Sequence, residues 1–149
     1  MYTSKLYSAN VTDSTGAQEQ HGEADISWEG DTHRVIKSFP VGPRQTLGHY
    51  LRLVQKGEKP PDSSPVPGLD DVFELRDQDE RTWYRVLYLK RIGSVVYVLH
   101  CFEKESNQIS KKDIRTADQR LKRVHARLME EKCHAKRQPQ AARDKGKRT

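Results

Sequence analysis

The most regular hydrophobic pattern of the chain lies in residues 43–57, where apolar side chains recur at helical spacing. They stand at i, i+3, i+4 and i+7, with Pro43 near the start and Gly57 just past the end; the apolar positions are Leu47, Tyr50, Leu51 and Val54. This pattern predicts an amphipathic helix. Upstream, DISWEG predicts a short strand centred on residues 26–28, and DTHRVIKSF predicts a short helix that is capped by Asp31 or Thr32 and ends before Pro40.

A proline-rich connection separates this helical part from a strand-rich part. Residues 58–68, EKPPDSSPVPG, contain four prolines and a closing glycine, which predict a loop without regular structure. Three strand patterns follow, DVFELR, WYRVLYLK and SVVYVLHCF, separated by the polar turn DQDERT and by RIG. Strands joined by such short turns predict an antiparallel meander.

Alternation along these strands predicts which side chains share a face of the sheet. In the first strand Phe73 and Leu75 face one side, and the opposite side has Val72, Glu74 and Arg76. In the second strand one face has Trp83, Arg85, Leu87 and Leu89, and the other has Tyr84, Val86 and Tyr88. In the third strand one face is predicted to have Val96, Val98, His100 and Phe102.

A second helical stripe begins after Ser110, which is a typical N-cap residue. Its apolar positions recur at steps of 3 and 4 and predict a helix that ends near Glu131; they are Ile114, Ala117, Leu121, Val124 and Leu128. The chain ends then lack apolar periodicity. We therefore expect one domain over residues 25–131, a flexible N-terminal extension over 1–24 and a basic disordered tail over 132–149.

Charge is unevenly distributed along the 149 residues. Residues 111–149 contain 14 Lys/Arg and 5 Asp/Glu, whereas residues 1–110 contain 13 and 16. The basic C-terminal third would attract a polyanion such as RNA or an acidic protein. The alternative is a solvated helix face followed by a disordered tail.

The two cysteines, Cys101 and Cys133, have no C-x-x-C spacing and follow no signal peptide. This usage is typical of reduced thiols in the cytoplasm. The longest apolar run is far shorter than the roughly 20 residues that a membrane span needs. The histidines and cysteines lack zinc-site spacing and no phosphate-binding glycine loop occurs, so we expect neither metal nor cofactor and no membrane partner.

Arg85 is an unusual residue for a strand that is otherwise rich in apolar side chains. A buried guanidinium is costly unless a carboxylate or a ligand phosphate meets it. One hypothesis is a salt bridge to Glu74 or Glu103. The other is a partly open basic surface, on which Arg85 and Arg76 converge with Lys104, Lys111 and Lys112 to bind a phosphodiester.

Several linked segments of the chain resemble a known family of proteins. VFELR, WYRVLYLK, VVYVLHCFEKES and DIRTADQRL, preceded by LVQKGEKPPD and GLDDV, occur in the order seen in phage-related toxins of the HigB branch of the RelE superfamily. The resemblance covers about residues 26–127. It implies an α+β, RelE-like fold in which N-terminal helices pack on a twisted antiparallel sheet, with a C-terminal helix.

The resemblance also implies a function, that of the toxin of a type II toxin–antitoxin pair. Such a toxin is similar to ribosome-dependent endoribonucleases that cut mRNA without a metal, by attack of the ribose 2′-OH on the adjacent phosphorus. The implied partners are mRNA, the ribosome and a cognate antitoxin of helix-turn-helix type, with operator DNA reached only through the antitoxin.

Site residues follow from the resemblance by position. Arg85 would face the scissile phosphate, Arg76 would hold the same phosphate or its neighbour, and Lys104 would stabilise the transition state or the leaving oxygen. The residues implied to contact RNA are Lys111, Lys112 and Arg115.

The resemblance has two gaps. SNQISKKD lacks the tyrosine that some RelE relatives use, and Glu74 stands where some members have lysine. His100 is the best alternative general base because a histidine ordinarily titrates near neutrality, although it could instead be a hydrogen-bonded sheet residue. The lost tyrosine also leaves open a non-catalytic module that binds RNA, the ribosome or a protein.

Overall fold

The computed structural model describes residues 22–106 and 108–148, with side chains described as far as Ala135. Most of the predicted N-terminal extension, residues 1–21, therefore lies outside the described residues. The elements, in chain order, are β1 Asp25–Trp28, α1 Thr32–Lys37, α2 Val41–Gln55, β2 Ser63–Pro65, β3 Val72–Gln78, β4 Trp83–Ile92, β5 Val95–Lys104 and α3 Lys111–Arg148.

The five strands form one mixed sheet in the order β1-β5-β4-β3-β2. The predicted meander of β3, β4 and β5 is antiparallel throughout. β1 differs, because it pairs in parallel with β5, from Asp25 opposite Val95 to Trp28 opposite Val98. The α+β architecture with N-terminal helices and a C-terminal helix is confirmed, while the sheet is mixed and not purely antiparallel.

The proline-rich connection contains a strand that the sequence did not predict. Ser63–Pro65 pairs with β3, and Pro65 lies opposite Phe73. This short strand lies at the edge of the sheet. Proline is tolerated there because an edge strand leaves half of its backbone groups unpaired. The prediction of a loop without regular structure is therefore wrong for these three residues.

Helices cover both faces of the sheet. α1 and α2 bury one face, where Ile36, Leu47 and Leu51 pack with Leu75 and Val86. α3 lies on the other face through the predicted apolar stripe, in a cluster that contains Ala117, Leu121, Val124, Leu87 and Phe102. Burying apolar surface on both sides is the main stabilising contribution for a domain of this size.

The face assignment holds for β3 and β4 but is wrong for part of β5. The register between β4 and β5 shifts between Leu87 and Tyr88. Val96 and Val98 consequently pack under α1 and α2, whereas Phe102 packs under α3. A bulge inserts an extra residue and so inverts the alternation beyond it.

The C-terminal helix is longer than predicted, because it continues past Glu131 to Arg148. Among the described side chains, the apolar stripe packs against the sheet as far as Leu128. Residues 129–138 are rich in Lys, Glu, Arg and Ala, which favour a helix, whereas Pro139 and Gly146 farther along do not. The helix end predicted near Glu131 is therefore wrong.

The N-terminal boundary of the domain is tied to the fold. Ala24 is buried, and its backbone N–H donates to the carbonyl of Gln55 at 2.8 Å. The guanidinium of Arg91 donates to the carbonyl of Gly22 at 3.0 Å. Residues 22–24 thus pack with the domain.

Candidate active site

Two of the predicted site residues lie side by side on the sheet face that α3 covers. Arg76 of β3 and Arg85 of β4 are direct register partners. The central guanidinium carbons of Arg76 and Arg85 lie 5.7 and 5.5 Å from the centre of the Trp83 ring. Such distances allow a cation–π attraction. Trp83 is also the register partner of Lys104 of β5, so a third predicted cation lies on the strand next to this indole.

Arg85 is buried, with only 1% of its surface exposed. Its guanidinium forms an ion pair with the buried carboxylate of Glu74. Of the two carboxylates that the sequence offered, Glu103 cannot serve, because it pairs with Tyr84 and so belongs to the other face. The expectation that Arg85 lies on a partly open surface is wrong, since strand β4 is covered on both faces.

Burial lowers the pKa of Arg85, and the carboxylates of Asp62 and Asp113 act in the opposite direction. A guanidinium nevertheless stays protonated at neutral pH. The buried positive charge is therefore permanent, and it fixes negative side chains around it. In the described conformation, Arg85 therefore acts on the site through its charge and through the side chains that this charge holds in place.

Arg76 is more accessible than Arg85, with 30% of its side chain exposed. Its Nε and one terminal nitrogen both donate to Oδ1 of Asp62, at 3.3 and 2.9 Å. Asp62 belongs to the loop that precedes β2. A surface ion pair of this kind contributes little to stability, so a phosphate could replace the carboxylate at low cost.

Lys104 and His100 meet at a single carboxylate from the first turn of α3. The Lys104 ammonium lies 3.5 Å from Oδ2 of Asp113, and His100 Nε2 lies 2.8 Å from Oδ1. The Ser110 hydroxyl donates to Oδ2 at 2.7 Å, and the Asp113 backbone N–H donates back to Ser110 at 3.1 Å. This reciprocal cap confirms the predicted helix start and fixes the carboxylate beside β5.

The pKa of Asp113 reflects opposing effects. Burial acts to raise it, but the hydrogen bonds from His100 and Ser110 and the charge of Lys104 outweigh burial and hold the pKa below its usual range. Asp113 is therefore ionised at neutral pH and supplies a fixed negative charge to His100.

His100 is a hydrogen-bonded sheet residue in the described conformation. Its ring stacks on Phe102 with centroids 4.8 Å apart, and only 14% of its side chain is exposed. Nε2 contacts Asp113, whereas Nδ1 is buried and has no hydrogen-bond partner within the part of the chain that the structure describes. One ring nitrogen is thus oriented by a carboxylate and the other is available for a proton once it is uncovered.

The three residues predicted to contact RNA lie on the first turns of α3. Lys111, Lys112 and Arg115 are all exposed. Asp113 anchors this helix end next to Lys104. These three exposed cations therefore lie beside Lys104, and not among Trp83, Arg76 and Arg85.

Sequence reasoning offered Glu74 but missed the other two carboxylates of this cluster. Asp62 and Asp113 come from a loop and a helix, 14 and 13 residues from Arg76 and His100, and strand alternation does not indicate them. Ser110-x-x-Asp113 is a capping pattern, which signals a helix start and says nothing of the strand histidine. The arrangement that results has three cations, each beside a carboxylate, and not a bare cationic pocket.

Within the described residues, no helix is both long and apolar enough to cross a membrane. A comparison with the curated proteins finds no match to the chain. A comparison with protein families matches residues 34–122 to the model of the phage-derived Gp49-like proteins (DUF891). This match covers more than half of the chain and includes every predicted site residue. The chain therefore belongs to the family of phage-derived Gp49-like proteins, a family of the RelE/ParE-like toxin type.

Proposed function

We propose that this protein is the toxin of a type II toxin–antitoxin pair and that it cleaves mRNA in the decoding site of the ribosome. The observation that carries the proposal is the arrangement of two accessible cations and an oriented histidine: Arg76 lies over the partly exposed Trp83 ring, and Lys104, the strand neighbour of Trp83, shares the Asp113 carboxylate with His100. Membership of a toxin-type family supports the same conclusion. Metal-free RNA cleavage needs a proton acceptor, cations for the phosphate and stabilisation of the leaving oxygen.

In this proposal the two accessible cations contact the scissile linkage. Arg76 and Lys104, each about one-third exposed, exchange their carboxylate partners for phosphate oxygens. Arg85 is a positioning residue, because its buried charge holds Trp83 and Glu74 in place. This role replaces the direct phosphate contact that the resemblance implied, since a guanidinium with 1% exposure presents no surface to a ligand.

The proposed reaction transfers two protons, one to His100 and one from Lys104, and exchanges one bond at phosphorus. The ribose 2′-OH gives its proton to Nδ1 of His100 and its oxygen bonds to phosphorus. The bond from phosphorus to the 5′ oxygen breaks, and the Lys104 ammonium donates a proton to that oxygen. The products are a 2′,3′-cyclic phosphate and a 5′-OH end. RNA must displace the groups that cover Nδ1, and Asp113 stabilises the imidazolium that forms.

Partner assignments follow from the same proposal. The protein acts in the cytoplasm, and a cognate antitoxin, proposed to be of helix-turn-helix type, neutralises it and supplies any contact with operator DNA. Lys111, Lys112 and Arg115 contact the RNA backbone beside the cluster, because they are exposed and adjoin Lys104.

The test is to induce the protein in growing cells and to map 5′-OH ends of the mRNA. We expect growth arrest with cuts in translated regions, and a loss of about 10²–10³-fold in cleavage for Lys104→Ala or Arg76→Ala. Arg81→Ala is the matched control, since Arg81 is an exposed arginine in the turn before β4. Cuts that persist undiminished in folded Lys104→Ala would exclude the assigned chemistry.

The second candidate is a non-catalytic module that binds RNA, the ribosome or a protein. The observation that favours it is the carboxylate beside each cation, which lowers the positive potential of the site. The same experiment distinguishes the endoribonuclease from the binding module. Growth arrest without new 5′-OH ends would identify the binding module.

A further inference from the structure

An apolar groove lies on the opposite side of the sheet from the candidate active site. It is at the C-terminal end of α2 and has a volume of about 340 Å³. Its floor is formed by Val54, Pro60, Phe73 and Tyr88. The rings of Phe73 and Tyr88 stack with centroids 6.0 Å apart, and Phe73 is only partly buried. A volume of this size is at the lower end of the range for pockets that bind ligands or anchoring side chains.

The rim of this groove is basic. Lys59 and Lys90 are exposed on it, and together with Arg91 they outnumber the rim carboxylate of Glu58. Within residues 22–106 and 108–135, the ammonium group of neither lysine has a hydrogen-bond or ion-pair partner. These two ammonium groups are therefore available to a ligand.

The third rim cation is held rigidly. Arg91 donates to the carbonyls of Gly93, Gln55 and Gly22, at 2.8, 3.1 and 3.0 Å. These bonds join the end of α2, the β4–β5 turn and the first described residues. The groove is thus bounded by fixed backbone, and a ligand would meet a preformed site that costs little entropy to occupy.

We propose that this groove docks a short segment of a protein partner, and that the segment presents two or three apolar side chains flanked by carboxylates. The apolar floor selects leucine-like or aromatic anchors, and the lysine rim selects carboxylates beside them. The proposal rests on the proposed function only in naming the partner as the antitoxin. The groove leaves the active site on the other face open, so docking there adds affinity without blocking the cluster around Trp83.

An acidic peptide is favoured over RNA at this position. The floor is aliphatic and aromatic, and its two rings stack on each other. A nucleic acid site, by contrast, is more polar and more strongly basic than this groove.

The experiment measures binding of short fluorescent peptides to the full chain by fluorescence anisotropy, in the absence of RNA. The probe alternates leucine with glutamate, and its control alternates leucine with lysine. We expect the acidic peptide alone to bind, and its dissociation constant to rise about tenfold or more in the variant Lys59→Glu with Lys90→Glu. The basic peptide should bind that variant. The matched control is Lys37→Glu with Arg81→Glu, which makes the same change in net charge at exposed positions away from the groove and should bind like the parent chain.

Three results would overturn the proposal. Equal binding of acidic and basic peptides, or an equal loss of affinity in Lys37→Glu with Arg81→Glu, would mean unspecific charge attraction. Displacement of the peptide by oligouridine would assign the groove to RNA. Binding that occurs only after removal of residues 1–21 would assign it to the chain's own N-terminal segment. None of these outcomes depends on RNA cleavage, and the groove variants should still cleave mRNA, so this proposal and the proposed function fail separately.

Discussion

The buried ion pair between Arg85 and Glu74 gives the sharpest stability prediction. Replacing Arg85 by Met removes the charge but keeps most of the side-chain volume, and it leaves the Glu74 carboxylate buried without its cation. Breaking a buried pair from one side typically destabilises a protein by about 3–5 kcal/mol. We therefore expect a loss of about 3–5 kcal/mol in the free energy of unfolding for Arg85→Met, a large part of the about 5–15 kcal/mol of a small domain.

The reverse variant, Glu74→Leu, should lose less free energy of unfolding than Arg85→Met. The carboxylates of Asp62 and Asp113 act on the Arg85 guanidinium as well, so Arg85 keeps part of its compensation. Replacing both members of a buried pair by apolar groups is often neutral or stabilising. The double variant Glu74→Leu with Arg85→Met should therefore be more stable than Arg85→Met alone, with a coupling energy of about 2–3 kcal/mol.

The assay is urea unfolding of the full chain, followed by far-UV circular dichroism at pH 7. Arg81→Met is the matched control, because it makes the same chemical change at an exposed turn and should lie within about 0.5 kcal/mol of the parent. A loss below about 1 kcal/mol for Arg85→Met would refute the reasoning, and so would a double variant whose loss equals the sum of the single ones. The destabilisation of Arg85→Met should shrink in mild acid, because protonation neutralises the abandoned carboxylate.

The remaining predictions concern other parts of the domain. Burial raises the pKa of the Cys101 thiol far above its usual range, whereas Cys133 is exposed. In the native protein an aromatic disulfide reagent should therefore modify Cys133 rapidly and Cys101 only on unfolding. Rapid reaction of both thiols would contradict this. Gly30 has φ +59°, and a Cβ there would lie 2.5 Å from the Arg120 guanidinium. Gly30→Ala should therefore lower the free energy of unfolding by about 1–2 kcal/mol. A urea midpoint equal to that of the parent would contradict this prediction. The folded pKa of Asp113 lies below the unfolded value of about 3.9, so its stabilisation is complete at neutral pH and is lost as the pH falls through the folded pKa. Urea midpoints between about pH 3 and 7 should accordingly fall less steeply for Asp113→Asn than for the parent, and identical slopes would show that Asp113 contributes nothing to acid unfolding.

Local patterns in the sequence predicted most of the secondary structure and the faces of two strands. The stripe at Leu47, Leu51 and Val54 is buried in α2, and the alternation of β4 places Arg85 and Leu87 on the same face. These features depend on periodicity alone, because a helix or strand buries whichever face is apolar. The errors lie at the edge strand β2 and at the bulge in β5, where pairing with other strands decides the structure, and past the packed part of α3, where the apolar stripe ends but the helix continues.

In the candidate site, too, the sequence predicted the residues on the strands and missed those that other elements contribute. Its cations lie on adjacent strands, so a correct strand order is enough to bring Arg76, Arg85 and Lys104 to one region. The sequence also offered Glu74 as a partner for Arg85. It did not indicate Asp62 or Asp113, because these carboxylates belong to a loop and a helix, and strand alternation gives no information about which loop or helix packs beside a strand.

The sequence by itself determined most of the elements, the α+β class and the need for a partner at Arg85, since each follows from side-chain chemistry within a few residues. The tertiary structure alone decided that β1 joins the sheet in parallel, that both faces are covered and that Arg85 is buried. Burial and charge pairing are sums over contacts between distant segments. A buried cation must be neutralised by whichever carboxylate the fold brings within reach, and that carboxylate is known only when the chain has folded.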